Sequence, residues 1–154
     1  MKESKYQVLN WKKWKAIAIL LKETKRDLEN TTQAISYSNE LPGSSHKTIF
    51  EKYNKLIENI EEYDKHIKMY DTVVNHLENS IRKLLNEKQR EVITIYANYP
   101  NKGDSNKRTK EAAKKGYSQA TFYRIADEAF DILDEVLTLN SKDIEKMLHI
   151  DKEK

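Results

Sequence analysis

Between residues 49 and 84, apolar side chains recur at alternating spacings of four and three: Ile49, Tyr53, Leu56, Ile60, Tyr63, Ile67, Tyr70, Val74, Leu77, Ile81 and Leu84. A seven-residue period held for about five heptads puts all of them on one stripe of a helix, which predicts a long helix with a coiled-coil seam. Phe50, Ile57 and Val73 widen the stripe at flanking positions, as in a bundle where a helix meets more than one neighbour. Ile49, Tyr53, Leu56, Ile60, Ile67, Val74 and Leu77 are accordingly read as oligomerisation contacts.

Three glycines and two prolines in 154 residues leave few places to break a helix, and a sheet would need many turns. The expected fold is all-α: a long amino-terminal helical hairpin or coiled coil followed by a three-helix domain. An earlier stripe of Trp11, Trp14, Ile17, Ala18, Leu21 and Leu28 predicts an amphipathic helix over about residues 6–30. Residues 36–48, SYSNELPGSSHKT, hold Pro42 and Gly43 among small polar residues and read as a loop that lets the two helices fold back or swap between chains. Two helices alone leave much apolar surface wet, so self-association, as a dimer, is the expected remedy. The alternative is a monomeric hairpin capped by the carboxy-terminal domain. The expected division is 1–85 for oligomerisation, 86–140 for the three helices and 141–154 for a charged tail with a small apolar cluster at Met147, Leu148 and Ile150.

Asn86, with Gln89 three residues on, is a helix-start signature, and Val92, Ile93, Tyr96 and Tyr99 mark a helix that ends at Pro100. PNKGDSNKR then reads as a polar loop leading into Thr109. From 112 to 130 the chain reads AAKKGYSQATFYRIADEAF, which fits a helix-turn-helix. Ala112 is small where two helices touch, and Gly116 suits a left-handed turn residue. Ser118 caps the second helix, which Phe122 and Ile125 bury against the first. That leaves Gln119, Ala120, Thr121, Tyr123 and Arg124 facing outward as candidate base contacts in a DNA major groove. Glu111 and Lys115 stand where most such motifs carry apolar residues, which predicts a first helix that is rotated or shallowly buried. The bland alternative is a helical hairpin in a bundle.

Charge favours the binding reading. From 82 to 126 there are eleven Lys or Arg against four Asp or Glu, a balance of +7, whereas the whole chain is +3 and the remainder is −4. Lys102, Lys107, Arg108, Lys110, Lys114 and Ser118 are the candidate DNA backbone contacts, since each cation that reaches a phosphate releases a condensed counterion.

Other chemistries lack residues. There is no cysteine, which excludes disulfides and thiolate metal sites and gives secretion no support from redox chemistry, so a cytoplasmic location is expected. His46, His66, His76 and His149 lack the spacing of metal ligands, the glycines are singletons, and the paired Glu61 and Glu62 lie beside the heptad stripe on a solvated face. No cofactor, metal or enzymatic activity is expected. The longest apolar run, residues 16–21, is far short of the roughly 20 residues that span a bilayer.

LLNEKQREVITIYANY followed by AAKKGYSQATFYRIADEAFDIL resembles region four of bacterial sigma factors. The chain also resembles the ArpU and RinA group of phage late transcriptional regulators, over residues 86–133 and, more weakly, over SYSNELPG at 36–43. The resemblance implies a sequence-specific DNA-binding regulator that activates phage late or packaging genes in the cytoplasm of a bacterial host. It further implies double-stranded DNA and host RNA polymerase as partners, a recognition helix over residues 119–127, and Arg124 and Gln119 as leading base contacts. A small terminase-like packaging subunit is the rival expectation. Such a subunit would close into a ring, whereas a regulator reading two half-sites would be a dimer.

Overall fold

The structure is a computed structural model and describes residues 2–38, 46–137 and 141–148. It is all-helical, with no strand among the described residues: α1 (Glu3–Ser38), α2 (His46–Leu84), α3 (Glu87–Asn98), a 3-10 turn (Lys102–Asp104), α4 (Ser105–Lys114), α5 (Gln119–Val136) and α6 (Ser141–Leu148). No described helix is long and apolar enough to cross a membrane.

Contacts divide the chain into two compact units. One comprises the described residues of Met1–Lys15 and Thr72–Lys154, and the other is Ala16–Asp71. The boundary expected between 85 and 86 falls elsewhere because both long helices contribute to both units. Core contacts group the ends of α1 and α2 with the later helices.

In the first unit, Val8, Trp11 and Trp14 of α1 and Val73, Val74, Leu77 and Ile81 of α2 are buried. Trp11 Nε1 donates to Glu78 Oε1 at 3.2 Å, and Lys15 Nζ lies 3.0 Å from the same carboxylate. Val74 and Leu77, read from the sequence as contacts between chains, are therefore core residues of the chain itself. At these two positions the seam is covered within the chain.

The helix starts follow from local chemistry. Asn86 Oδ1 accepts from Gln89 N, and Gln89 Oε1 accepts from Asn86 N, a reciprocal cap that opens α3. At the other end the backbone of Tyr99, before Pro100, leaves the helical region. Ser118 Oγ accepts from Thr121 N and caps α5. Gly116, at φ +91°, is the only positive-φ residue among those described, and it ends the segment after α4. There Tyr117 N donates to Ala112 O at 2.9 Å and Gly116 N to Ala113 O at 3.1 Å, satisfying carbonyls that the helix end would otherwise orphan.

Two boundaries differ from expectation. The basic stretch after Pro100 is largely helical: Asn101 N donates to Asp104 Oδ2, the backbone of Asp104 closes on Asn101 O, and α4 begins at Ser105. Also, α1 runs from Glu3 to Ser38 and not over 6–30. Its start is fixed from a distance, since Asp134 Oδ1 accepts from Ser4 N at 2.8 Å. Of the loop expected over 36–48, residues 36–38 belong to α1 and 46–48 to α2, while 39–45 lie outside the described residues.

The second unit is an antiparallel helix pair. Lys22 pairs with Asp71 and Lys25 with Asp64, so partner numbers fall along α2 as they rise along α1. Ala18 is buried, while Ile17, Leu21, Leu28, Leu56, Ile60 and Ile67 are only half-buried. The side chains of Ile49 and Tyr53 lie outside the described residues. In the tail, Ile144 of α6 is fully buried; Ile150 and the side chains of Met147 and Leu148 also lie outside the described residues.

The glycines give a direct test of the turn. A Cβ at Gly116 or at Gly103 would meet no atom within 4 Å, but only Gly116 has a positive φ. Gly116→Ala is expected to cost about 1–2 kcal/mol from backbone strain alone. Gly103→Ala should be neutral or stabilising by up to about 1 kcal/mol. Urea midpoints of the two variants check this; equal shifts would show that the turn does not depend on a left-handed residue.

Candidate nucleic-acid interface

The helices α3, α4 and α5 pack on one another through an aromatic cluster. Tyr96 of α3 stacks on Phe122 of α5, with centroids 5.4 Å apart and planes 8° from parallel, and meets Phe130 edge-on at 5.4 Å. Burial pushes the Tyr96 hydroxyl up to about 12, so the ring stays neutral at any physiological pH. Phe122, Ile125, Ala126, Ala129, Phe130 and Leu133 form the buried stripe of α5, and Ala112 is the fully buried small residue of α4. Only Arg108 and Ala112 are buried in α4, the shallow packing that Glu111 and Lys115 imply.

Those two charged positions have partners. Glu111 pairs with Lys114 at 3.1 Å, and Lys115 reaches Glu91 of α3 at 3.2 Å. Tyr117 Oη also donates to Glu91, at 2.9 Å. Glu91 thus ties both sides of Gly116 to α3, replacing an apolar contact with a polar one at the protein surface. The hydrogen bond from Tyr117, and next the contact with Lys115, hold the Glu91 carboxyl below its usual range. Desolvation, and next the hydrogen bond to Glu91, raise the Tyr117 hydroxyl above its own.

The candidate base-contacting residues divide into two sets. Gln119, Ala120 and Arg124 are exposed on the first turns of α5. Thr121 and Tyr123 are half-buried and already engaged. Thr121 Oγ1 accepts from the Ser118 hydroxyl at 2.9 Å, while Tyr123 Oη shares a 3.1 Å hydrogen bond with Ser105 Oγ and its ring meets Phe122 edge-on. Tyr123, taken from the sequence as outward-facing, helps hold α4 to α5. Its position beside Phe122 turns it toward the helix junction.

Among the candidate backbone contacts, Lys102, Lys107, Lys110 and Lys114 are exposed. Ser118 spends its hydroxyl on the α5 cap. Arg108 requires correction. It is 9 % exposed, its Nη1 donates to Tyr99 O at 2.6 Å and Asn101 O at 3.1 Å, and its guanidinium lies 5.0 Å from the Tyr96 centroid. Arg108 is the internal brace of the α3 to α4 connection and not a surface cation, because two carbonyls there need a donor that the backbone cannot supply.

Sequence reasoning missed Lys88. With Asn86, Gln89, Gly116, Tyr117, Thr121, Arg124, Ile125 and Glu128 it lines a groove of about 320 Å³ between the amino end of α3 and the outer face of α5. The local excess of positive charge contained the signal; only packing shows that Lys88 and Arg124 flank one groove. The surface cations are weakly held, with Lys107 3.8 Å from Asp104, Lys114 3.1 Å from Glu111 and Arg124 3.1 Å from Glu128. Such exposed pairs are worth little, so exchanging a carboxylate for a phosphate costs little.

No protein-family model, curated protein or solved structure matches the chain.

The Arg108 assignment predicts that Arg108→Ala destabilises the chain by about 1.5–3 kcal/mol, the range for hydrogen bonds from a charged donor, here to two part-buried carbonyls. Lys110→Ala should change stability by less than about 0.5 kcal/mol. Equal urea midpoints for the two variants would return Arg108 to the surface. For Glu91, a lowered folded pKa contributes stability that is present above the ordinary 4.5 and lost as pH falls through the folded value. Tyr117→Phe should move the Glu91 midpoint upward in a carboxyl NMR titration, and an unmoved midpoint would show that the phenol does not hold it.

Proposed function

We propose that this chain is a sequence-specific double-stranded DNA-binding protein acting as a transcriptional regulator, with the amino-terminal half of α5 as its reading element. One observation carries the reading. The segment 82–126, with its balance of +7, is also the one in which a glycine turn and a serine cap bring Gln119, Ala120 and Arg124 to the surface of a helix whose opposite face is packed. A helix held rigidly from behind, with a short polar start and cations around it, suits the major groove.

The roles follow from exposure. Lys88, Lys102, Lys107, Lys110 and Lys114 contact phosphates and contribute most of the affinity. Arg124 pairs with guanine and Gln119 with adenine, each worth about 1–3 kcal/mol of discrimination. Arg124 must first leave Glu128, an exposed partner that offers little resistance. The likeness to the ArpU and RinA group supports activation of phage late genes as the setting, with host RNA polymerase as a further partner.

The test begins with selection of a preferred duplex from a randomised pool, followed by fluorescence anisotropy across a salt series. Alanine at Lys102, Lys107, Lys110 and Lys114 is expected to weaken binding on all sequences. The slope of log affinity against log salt should fall by about one for each phosphate that is no longer neutralised. Arg124→Ala should weaken binding to the selected site roughly 5- to 150-fold while leaving nonspecific binding nearly intact. Absence of binding to any duplex at low salt, or a slope unchanged in the quadruple variant, would overturn the proposal.

A further inference from the structure

Arg124 and Glu128 form an ion pair one helical turn apart, with Arg124 Nη1 3.1 Å from Glu128 Oε1 and both side chains more than half exposed. Both line the groove between α3 and α5, and Glu128 pairs there with Arg124 rather than with Lys88, which lines the same groove. The backbone that carries them is held from behind by Ile125, Ala126 and Ala129, all buried. Two neighbouring carboxylates are turned to another duty: Asp131 pairs with Lys2 at the start of α1, and Asp127 acts on the same ammonium. Glu128 is the carboxylate that α5 presents on its groove side, beside the side chain assigned to guanine.

A carboxylate in that place has a defined use. A guanidinium that reads guanine donates to its O6 and N7 acceptors. When Arg124 makes that exchange, Glu128 Oε1 loses its donor, and an acceptor left without one at an interface is costly. The donor within reach on the same base pair is the N4 amine of cytosine, which lies beside guanine O6 at the length of an N–H···O hydrogen bond, about 3 Å. The ion pair, a donor and an acceptor 3.1 Å apart, therefore mirrors the acceptor and donor at the centre of a G·C major-groove edge. An ionised carboxylate only accepts, so it gains nothing from guanine or thymine acceptors in that position and is repelled by phosphates. Arg124 drawn to a phosphate would leave Glu128 unpaired beside a like charge.

We infer that Glu128 is a specificity-determining residue that accepts from the N4 amine of cytosine in the base pair whose guanine Arg124 reads, so that the two side chains select a G·C pair together. The assignment rests on α5 being the DNA-reading helix, and its test separates the two.

The probe is the selected duplex with a single change at the guanine whose preference is lost in Arg124→Ala: its partner cytosine is replaced by 2-pyrimidinone, which still pairs with guanine but lacks the 4-amino group. By fluorescence anisotropy at fixed salt, the wild type should bind the unmodified duplex about five- to tenfold more tightly than the modified one. Glu128→Ala should bind the two within about twofold of each other. Its affinity for unselected duplex should rise about twofold or more, because a negative charge has left the phosphate-facing surface. Position 128 is exposed, so circular dichroism should be unchanged. A residue that merely braces Arg124 would leave the loss on the modified duplex the same in both proteins. That result, a wild type indifferent to the missing amine, an Arg124→Ala that relaxes no guanine, or a fall in nonspecific affinity would each overturn the role of Glu128 while duplex binding by α5 stands. A wild type that binds no duplex would overturn both.

Discussion

The ring of Tyr96 is the contact on which the carboxy-terminal helices depend. It stacks on Phe122, meets Phe130 edge-on, lies beneath the guanidinium of Arg108 and approaches the ammonium of Lys5 at 5.6 Å. Three other helices, α1, α4 and α5, therefore converge on one side chain of α3. Paired aromatic contacts add about 0.5–1.5 kcal/mol each beyond the area they bury, and a cation held against a ring adds a comparable amount. The geometry also fixes rotation. With Phe122 stacked nearly parallel to Tyr96, α5 cannot turn about its axis without breaking the stack, so the residues opposite Phe122 remain at the surface.

What was legible in the sequence was whatever a residue decides with its near neighbours. Asn86 and Gln89 cap α3 reciprocally, Ser118 caps α5, and Gly116 takes the left-handed turn. The burial of Phe122 and Ile125 follows from spacing alone. Roles set across the fold were not legible. Arg108 looks the same as Lys107 in a count of charge, but one braces two carbonyls and the other is exposed. Glu91 could be counted against the basic patch, but its work in holding Tyr117 and Lys115 depends on how α3 approaches the turn. Lys88 enters the candidate site only because the amino end of α3 lies beside α5.

The heptad of α2 shows the same limit from another side. A seven-residue period states that one stripe will be covered, and it does not say by which helix. Val74 and Leu77 are covered by the chain's own packing, while Leu56, Ile60 and Ile67 keep partial exposure against α1. Within the second unit α1 lies beside α2, and its large apolar side chains that remain exposed are Ile19 and Leu20. Ile19 and Leu20 stand within the longest apolar run of the sequence, and the period of α2 gave no reason to single them out.

The two ends of α5 carry different duties, and the difference explains how a surface helix can be both rigid and available. Its amino-terminal turns present Gln119, Ala120 and Arg124. Its carboxy-terminal turns are held by the start of α1: Ser4 Oγ donates to Phe130 O at 2.9 Å, Asp134 accepts from Ser4 N, and Lys2 pairs with Asp131. Asp134 places a carboxylate at the positive end of α1, and Ser4, itself fully buried, satisfies a carbonyl of α5. Any ligand force on the exposed turns is therefore transmitted to a helix anchored by hydrogen bonds at its far end and by aromatic packing along its length. Anchoring of this kind fixes the backbone of the exposed turns in advance, so a ligand of the kind proposed for them would meet a low ordering cost.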